Sequence, residues 1–352
     1  MKNVLIIGPG PQYIGGISEF IQGLINSDLS KKYNFTLFDS LELKKRDRAK
    51  AGSKFSFQEI KATFGLFSLF RKYLKQNKVD IVHIHSSSYF GFYEKLILAL
   101  IAKNKNIKVV FHIHGGEFVQ FFQNNPLKKI LNYFLTKLDS IICVSEEIRN
   151  VIDVKNKSTV IGNGIILPNV EKQLNDKIRF LSISVLEKRK RIDLIIEAIT
   201  ELKEKYPNSF EFHFAGNGPE KEALLEQINQ NEIGDYVKYH GVVLAKDKDK
   251  LLRESDVFIS ASLAESFGIS IAEGMSYKLG IISTAEGIAK TCIQKENGFI
   301  IQKNSAESIE KAMTKYLENP KLILIQGENN YKFIAENFSW NVISSKIAKI
   351  YN

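Results

Sequence analysis

Short apolar runs flanked by glycine, proline or polar residues recur along the chain and alternate with longer segments of helical spacing. Val4–Ile7, Asn34–Phe38, Asp80–His85, Lys108–His114 and the segment opening at Asp139 read as strands. Their length and β-branched content suit buried parallel strands better than helices. After Ile165 the alternation starts again, with Ile178–Leu186, FEFHFA, YVKYHGVV and Val257–Ser262 as strands. Strands alternating with helices predict doubly wound α/β domains, and a chain of 352 residues suits about two of them. Between the two series, Asn163-Gly164 and Pro168 break regular structure and suit an interdomain hinge.

The chemistry concentrates in the stretch from Asp256 to Thr284. A strand at Val257–Ser262 is followed by a polar turn holding Glu265 and closed by Gly268, then by a helix over Ile269–Tyr277 whose early turns carry Glu273. Ligands of open parallel sheets bind outside the carboxyl ends of the strands, where helix N-termini attract anions. A carboxylate repels a phosphate but accepts hydrogen bonds from paired hydroxyls, and a sugar nucleotide has such hydroxyls on both sides of its diphosphate. Two solvated helix-flanking glutamates are the plain alternative. Near the amino terminus, GPGPQYIGGISEF departs from a dinucleotide fingerprint because Tyr13 stands where the third glycine is needed. What remains is Gly15-Gly16 at a helix start, either a phosphate approach or a tight turn. Two H-x-H pairs, His83/His85 and His112/His114, each fall on one face of a strand. No acidic ligand set joins them, so most read as core histidines and no metal is expected; His114 stands at the end of its strand.

With Glu265, Phe267, Gly268 and Glu273 in an E-x7-E frame, the chain resembles the retaining glycosyltransferases of family 4, bacterial cell-surface polysaccharide type. The resemblance implies the GT-B fold: two facing doubly wound Rossmann-like domains, an interdomain cleft, and a C-terminal helix crossing back. It implies an acceptor-side domain over 1–165 with the helix of about 338–352, and a nucleotide-sugar domain over 166–337. Glu265 would hold the donor sugar's hydroxyls, Glu273 the ribose, and Gly15-Gly16 the β-phosphate. Ser266, Phe267, Gly268 and Ile269 would line the donor site, as would Gly216 and Gly218 in the G-x-G-P-E turn. His114 would contact the donor sugar and Glu117 the acceptor. Lys190 matches a diphosphate-binding lysine, but Ser184-Val185 replaces the family's Gly-Arg, so Lys188 or Arg189 is expected to supply the second cation.

The activity implied is transfer, with retention and without a metal, from a nucleoside diphosphate sugar, UDP-sugar favoured, to a glycan or polyprenyl-linked hydroxyl. No cofactor besides that donor is expected. A nucleotide-sugar 2-epimerase and a non-catalytic anion-binding protein are the alternatives.

Charge adds a partner to this picture. The net charge is +10, yet residues through Ile165 carry 24 basic against 13 acidic residues and the remainder 25 against 26. A basic field concentrated in one half suits an anionic neighbour. Lys44, Lys45 and Arg46 open a basic run that continues with Arg48, Lys50 and Lys54 into Phe55, Phe57, Phe64, Phe67 and Phe70. Lys44, Lys45 and Arg46 are expected on the acceptor side, and the basic and aromatic segment against an anionic membrane surface; core packing accounts for part of the aromatic content. No nucleic-acid module accompanies them, so nucleic acid is not an expected partner. Cys143 and Cys292 read as small apolar fillers in a reducing compartment. With no signal-peptide pattern and no apolar run near ~18 residues, a cytoplasmic location is expected, peripheral on the inner face of the plasma membrane.

Overall fold

The computed structural model describes residues 1–13, 15–44, 57–294 and 296–352. They divide into two compact units, 1–164 with 340–352, and 165–339. Unit 1 runs β1 (Lys2–Gly8), α1 (Gly16–Asn26), β2 (Tyr33–Asp39), α2 (Phe57–Gln76), β3 (Ile81–Ser86), α3 (Phe90–Lys103), β4 (Lys108–Ile113), α4 (Phe118–Gln123), α5 (Lys128–Thr136), β5 (Ser140–Cys143), α6 (Glu146–Val151) and β6 (Ser158–Val160). Its strands pair in parallel in the order β2-β1-β3-β4-β5-β6. Val4 lies between Phe35 and Ile81, fixing the central register. Helices cover the sheet, which is why the strands read as unbroken apolar runs.

Unit 2 runs β7 (Ile178–Ile183), α7 (Ile192–Lys205), β8 (Phe210–Ala215), α8 (Lys221–Gln230), β9 (Val237–Tyr239), α9 (Ala245–Glu254), β10 (Val257–Ser260), α10 (Ile269–Ser276), β11 (Gly280–Thr284), α11 (Ile288–Cys292), β12 (Phe299–Ile301), α12 (Ala306–Glu318) and α13 (Lys321–Asn337). The parallel order is β12-β11-β10-β7-β8-β9. From β7 the chain builds outward through β8 and β9, then returns to β7's other edge for β10. The order therefore reverses between β7 and β10, and the crevice beyond their carboxyl ends is where such sheets bind ligands.

The last helix, α14 (Trp340–Tyr351), belongs to unit 1. Its Trp340 ring lies so close to Gly23 and Gly164 that a Cβ on either would come within 2.0 and 2.5 Å of it. The Tyr351 hydroxyl sits 2.6 Å from Nδ1 of the buried His83.

Three strands are clearly shorter than the sequence suggests, and β9 keeps only Val237–Tyr239 of the YVKYHGVV segment. The run Ile178–Leu186 leaves the sheet after Ile183, and Val257–Ser262 leaves it after Ser260. In these last two cases the run ends in buried residues held by loop contacts: Leu186 donates its N–H to the Asn217 carbonyl, and the Ser262 carbonyl accepts from Thr284 Oγ1 at 2.6 Å. Burial alone does not distinguish a strand end from a packed loop. Of the aromatic series, Phe67 and Phe70 are core residues while Phe64 is exposed; Phe55 lies outside the described residues.

Candidate functional site

In unit 2 the crevice between β7 and β10 is lined by two loops laced together. The β10 loop donates Leu263 N–H to the Arg189 carbonyl at 2.8 Å, and the Arg189 guanidinium returns a bond to the Ala264 carbonyl at 3.1 Å. This stitching brings Lys190 and Glu265 into an ion pair, their side chains 13% and 16% exposed. The pair joins residues 75 positions apart in sequence. Arg189 also holds Glu187 at 2.9 Å through Nε, and its Nη2 has no partner among the described residues, whereas Lys188 is exposed to solvent.

Gly268 caps α10 with φ 83°, a conformation that an L side chain rarely adopts. Ser266, Gly268 and Ile269 are half-buried around this turn, and Phe267 is buried beneath it. The Phe267 carbonyl accepts from Ile288 N–H at 2.7 Å, and a Cβ on Gly287 would come within 2.4 Å of that same oxygen. One turn into α10, Glu273 pairs with Lys248 of α9 at 2.5 Å, each side chain 21% exposed. Both glutamates of the E-x7-E frame are thus held by lysines from other elements. Nothing in the sequence singles out Lys248, because a lysine in a charged helical stretch carries no local mark.

Gly216 and Gly218 pack against the β7 loop. A Cβ at Gly216 would come within 1.8 Å of the Ser184 carbonyl oxygen, and one at Gly218 within 2.3 Å of the Leu186 oxygen. Their glycine requirement is met by this close backbone approach. The Ser184 hydroxyl, beside the missing arginine position, is buried and unpartnered among the described residues, while Val185 is exposed.

In unit 1, Asp39 at the end of β2 organises the glycine loop. Its Oδ2 accepts from Gly10 N–H at 2.9 Å and Gln12 Nε2 at 2.7 Å, and its Oδ1 accepts from the N–H groups of Leu41 and Glu42. Gly15 (φ 149°) then caps α1, whose first residue is Gly16, and Gly15 O accepts from Glu19 N–H. Sequence reasoning passes over Asp39 because a strand-ending aspartate looks like any turn residue. His114 follows β4, donating its N–H to the Ser86 carbonyl at 2.8 Å. Glu117 is exposed at the start of α4. Lys44 ends a short turn, Glu42–Lys44; Lys45 and Arg46 lie outside the described residues.

Under His114 lies a cluster of buried histidines. His83, His85 and His112 offer ring nitrogens within 4.8 Å of one another, with no carboxylate in the group to offset a metal's charge. Burial pushes the rings of His83 and His114 down to about 3, and those of His85 and His112 well below the ordinary range. All four are neutral at physiological pH.

Residues 167–333 match the family model of glycosyl transferases group 1, and residues 14–167 that of glycosyltransferase family 4. The chain is 23% identical to an uncharacterized glycosyltransferase of Methanocaldococcus jannaschii, over 96% of this chain and 95% of that one. It is also 23% identical to the GPI3 subunit of phosphatidylinositol N-acetylglucosaminyltransferase from Saccharomyces cerevisiae, over 82% of this chain but 66% of that longer protein. Anabaena HepE, solved in complex with UDP and glucose, has a similar fold with a TM-score of 0.75 at 14% identity, over 99% of each chain. The chain thus carries the two domains of a GT-B glycosyltransferase, a family 4 domain over residues 14–167 and a group 1 domain over residues 167–333.

Proposed function

We propose that the protein is a retaining glycosyltransferase that takes a nucleoside diphosphate sugar, UDP-sugar favoured, in the β7/β10 crevice of unit 2. The observation that carries this is the Lys190–Glu265 pair at the point where the strand order reverses. There a carboxylate accepts hydroxyls of the sugar while Lys190 and the Nη2 edge of Arg189 neutralise the diphosphate. Arg189 in this role fills the gap left at Val185. Glu273, one turn into α10, takes the ribose hydroxyls, and the free N–H groups at the start of α10 add positive potential. As the bond from the anomeric carbon to the diphosphate breaks, these groups stabilise the departing charge without a resident metal, and the acceptor oxygen bonds that carbon on the same face while its proton goes to the leaving phosphate oxygen.

Unit 1 supplies the acceptor side, with a glycan or lipid-linked hydroxyl as acceptor in surface polysaccharide synthesis. No described helix is long and apolar enough to cross a membrane. Leu127, which caps α5, and Ile130 and Tyr133 within it are 46%, 52% and 57% exposed, beside Lys128 and Lys129. This combination favours peripheral contact with an anionic lipid surface on the cytoplasmic side.

The test is a calorimetric screen of UDP, GDP and ADP sugars, followed by transfer to glycan and polyprenyl phosphate acceptors. Binding of one donor and acceptor-dependent release of its nucleotide support the reading. Absence of binding to all of them rejects it, and conversion of UDP-GlcNAc without acceptor assigns the chain to the epimerases instead.

A further inference from the structure

The four histidines beneath the β4 end include a hydrogen bond whose direction decides what His114 can do. His85 Nδ1 and His114 Nε2 are 2.9 Å apart, and both rings are buried. One ring donates and the other accepts, so two arrangements are open. The other nitrogen of His85, Nε2, is enclosed and has no partner among the described residues. If His114 donated from Nε2, His85 would carry its own proton on that enclosed Nε2, leaving a buried N–H with nothing to bond. If His85 donates from Nδ1, the enclosed atom is instead a bare lone pair. Orphaned buried N–H groups are the rarer and costlier of the two, and neighbouring His112, with both ring nitrogens enclosed and unpartnered among the described residues, already carries one. His114 then accepts on Nε2 and holds its proton on Nδ1, which is not among the enclosed, unpartnered nitrogens.

We propose that His85 is a positioning residue that fixes His114 as the neutral ring protonated on Nδ1, so that His114 meets its ligand as a hydrogen-bond donor. The complementary chemistry on the ligand is an oxygen acceptor, a hydroxyl of the donor sugar, and His114 is unsuited to taking a proton from an attacking hydroxyl. The surroundings protect this state. His83 and His112 pack against the pair with ring centroids 4.4 and 5.1 Å from His85, and Phe20 closes the cluster 5.3 Å from His114. The Tyr351 hydroxyl engages His83, outside the pair. Among the described residues no carboxylate bonds to any of the four rings to favour the imidazolium, and burial disfavours charge on all of them. The identity of the ligand rests on the glycosyltransferase reading; the protonation state does not.

The test begins with the full chain labelled with 15N-histidine and a long-range proton–nitrogen correlation spectrum at pH 7. Signals are assigned by their loss in His85→Asn and His114→Asn. The expected pattern for His114 is a protonated Nδ1 and a bare Nε2; the reverse pattern, or an imidazolium, overturns the proposal. A second arm compares His85→Leu, which removes the donor, with His85→Asn, which keeps an amide donor near the δ position. Loss of one neutral hydrogen bond predicts turnover of the sugar nucleotide about 10-fold lower in His85→Leu, substantially restored in His85→Asn, with UDP affinity unchanged in both. Unaltered turnover and an unaltered His114 spectrum in His85→Leu overturn the positioning role. Should His85→Leu not fold, His85→Asn and the wild-type spectrum decide the matter. A wild type that binds no sugar nucleotide refutes the enzymatic reading, while the spectrum still decides the proton's place.

Discussion

At the scale of single residues, the proposed reading gives the two glutamates separable duties. Glu265 pairs with Lys190 in the crevice, and Glu273 pairs with Lys248 one turn into α10. Glu265→Ala removes the group assigned to the sugar, so transfer is expected to fall by a factor of at least ~100 while UDP still binds. Glu273→Ala is expected to weaken UDP binding by about 10-fold through lost ribose hydrogen bonds. Titration calorimetry and a transfer assay on both variants check the division; equal loss of both functions in both variants contradicts it. The buried histidines make a different prediction. The folded values of His83 and His114 lie near 3, below the unfolded value near 6.5. Above pH 6.5 both states are neutral and the full stability is present. As the pH falls from 6.5 toward 3, the unfolded chain binds protons that the folded one refuses, so each such histidine costs up to ~1.4 kcal/mol per pH unit. Denaturant midpoints of unit 1 signals between pH 7 and 5 are expected to fall accordingly. Replacing His83 with Leu, which also removes the Tyr351 contact, should flatten that slope.

At the scale of elements, the site is a product of loops that back one another. The β7 loop is pressed against the turn after β8, where Gly216 has φ 139° and no room for a side chain beside the Ser184 carbonyl. Gly216→Ala is expected to cost ~2–3 kcal/mol from backbone strain and forced separation, and to weaken UDP binding by shifting Lys188–Lys190. Gly287→Ala should act from the other side, because its Cβ would meet the Phe267 carbonyl that anchors the start of α10. Thermal unfolding together with UDP titration measures both effects; wild-type values for both variants would show that these contacts do not hold the crevice. The E-x7-E frame and the glycine turns are legible as local patterns. Lys248 and Asp39 are not, since each acts through a partner far along the chain.

At the scale of the whole molecule, two doubly wound units repeat one design, and they differ in surface. Unit 1 contains the basic excess and an α5 that buries Leu131 and Leu135 while Ile130 and Tyr133 stay in solvent. Ile130→Glu is expected to reduce co-sedimentation with anionic vesicles several-fold while leaving UDP binding intact, since the substitution sits on an exposed face. Equal sedimentation of variant and wild type would remove α5 from the membrane account. The closing helix is tied to unit 1 by Trp340 against Gly23 and Gly164. Trp340→Ala should therefore cost unit 1 ~3 kcal/mol, read from its denaturant midpoint.

The sequence by itself determined the alternation of strands and helices, the two α/β domains, and the loop and helix on which Glu265 and Glu273 stand. These features are local: apolar period, glycine at a positive φ and helix-start chemistry are each written in a few neighbouring residues. Only the tertiary structure decided that β10 returns to the edge of β7, because strand order depends on packing between distant segments. That pairing makes neighbours of Lys190 and Glu265, while packing elsewhere gives Glu273 its lysine and gathers the four histidines into one neutral cluster. Charge balance, burial and hydrogen-bond direction belong to contacts across the fold, so they appear once the chain has closed on itself.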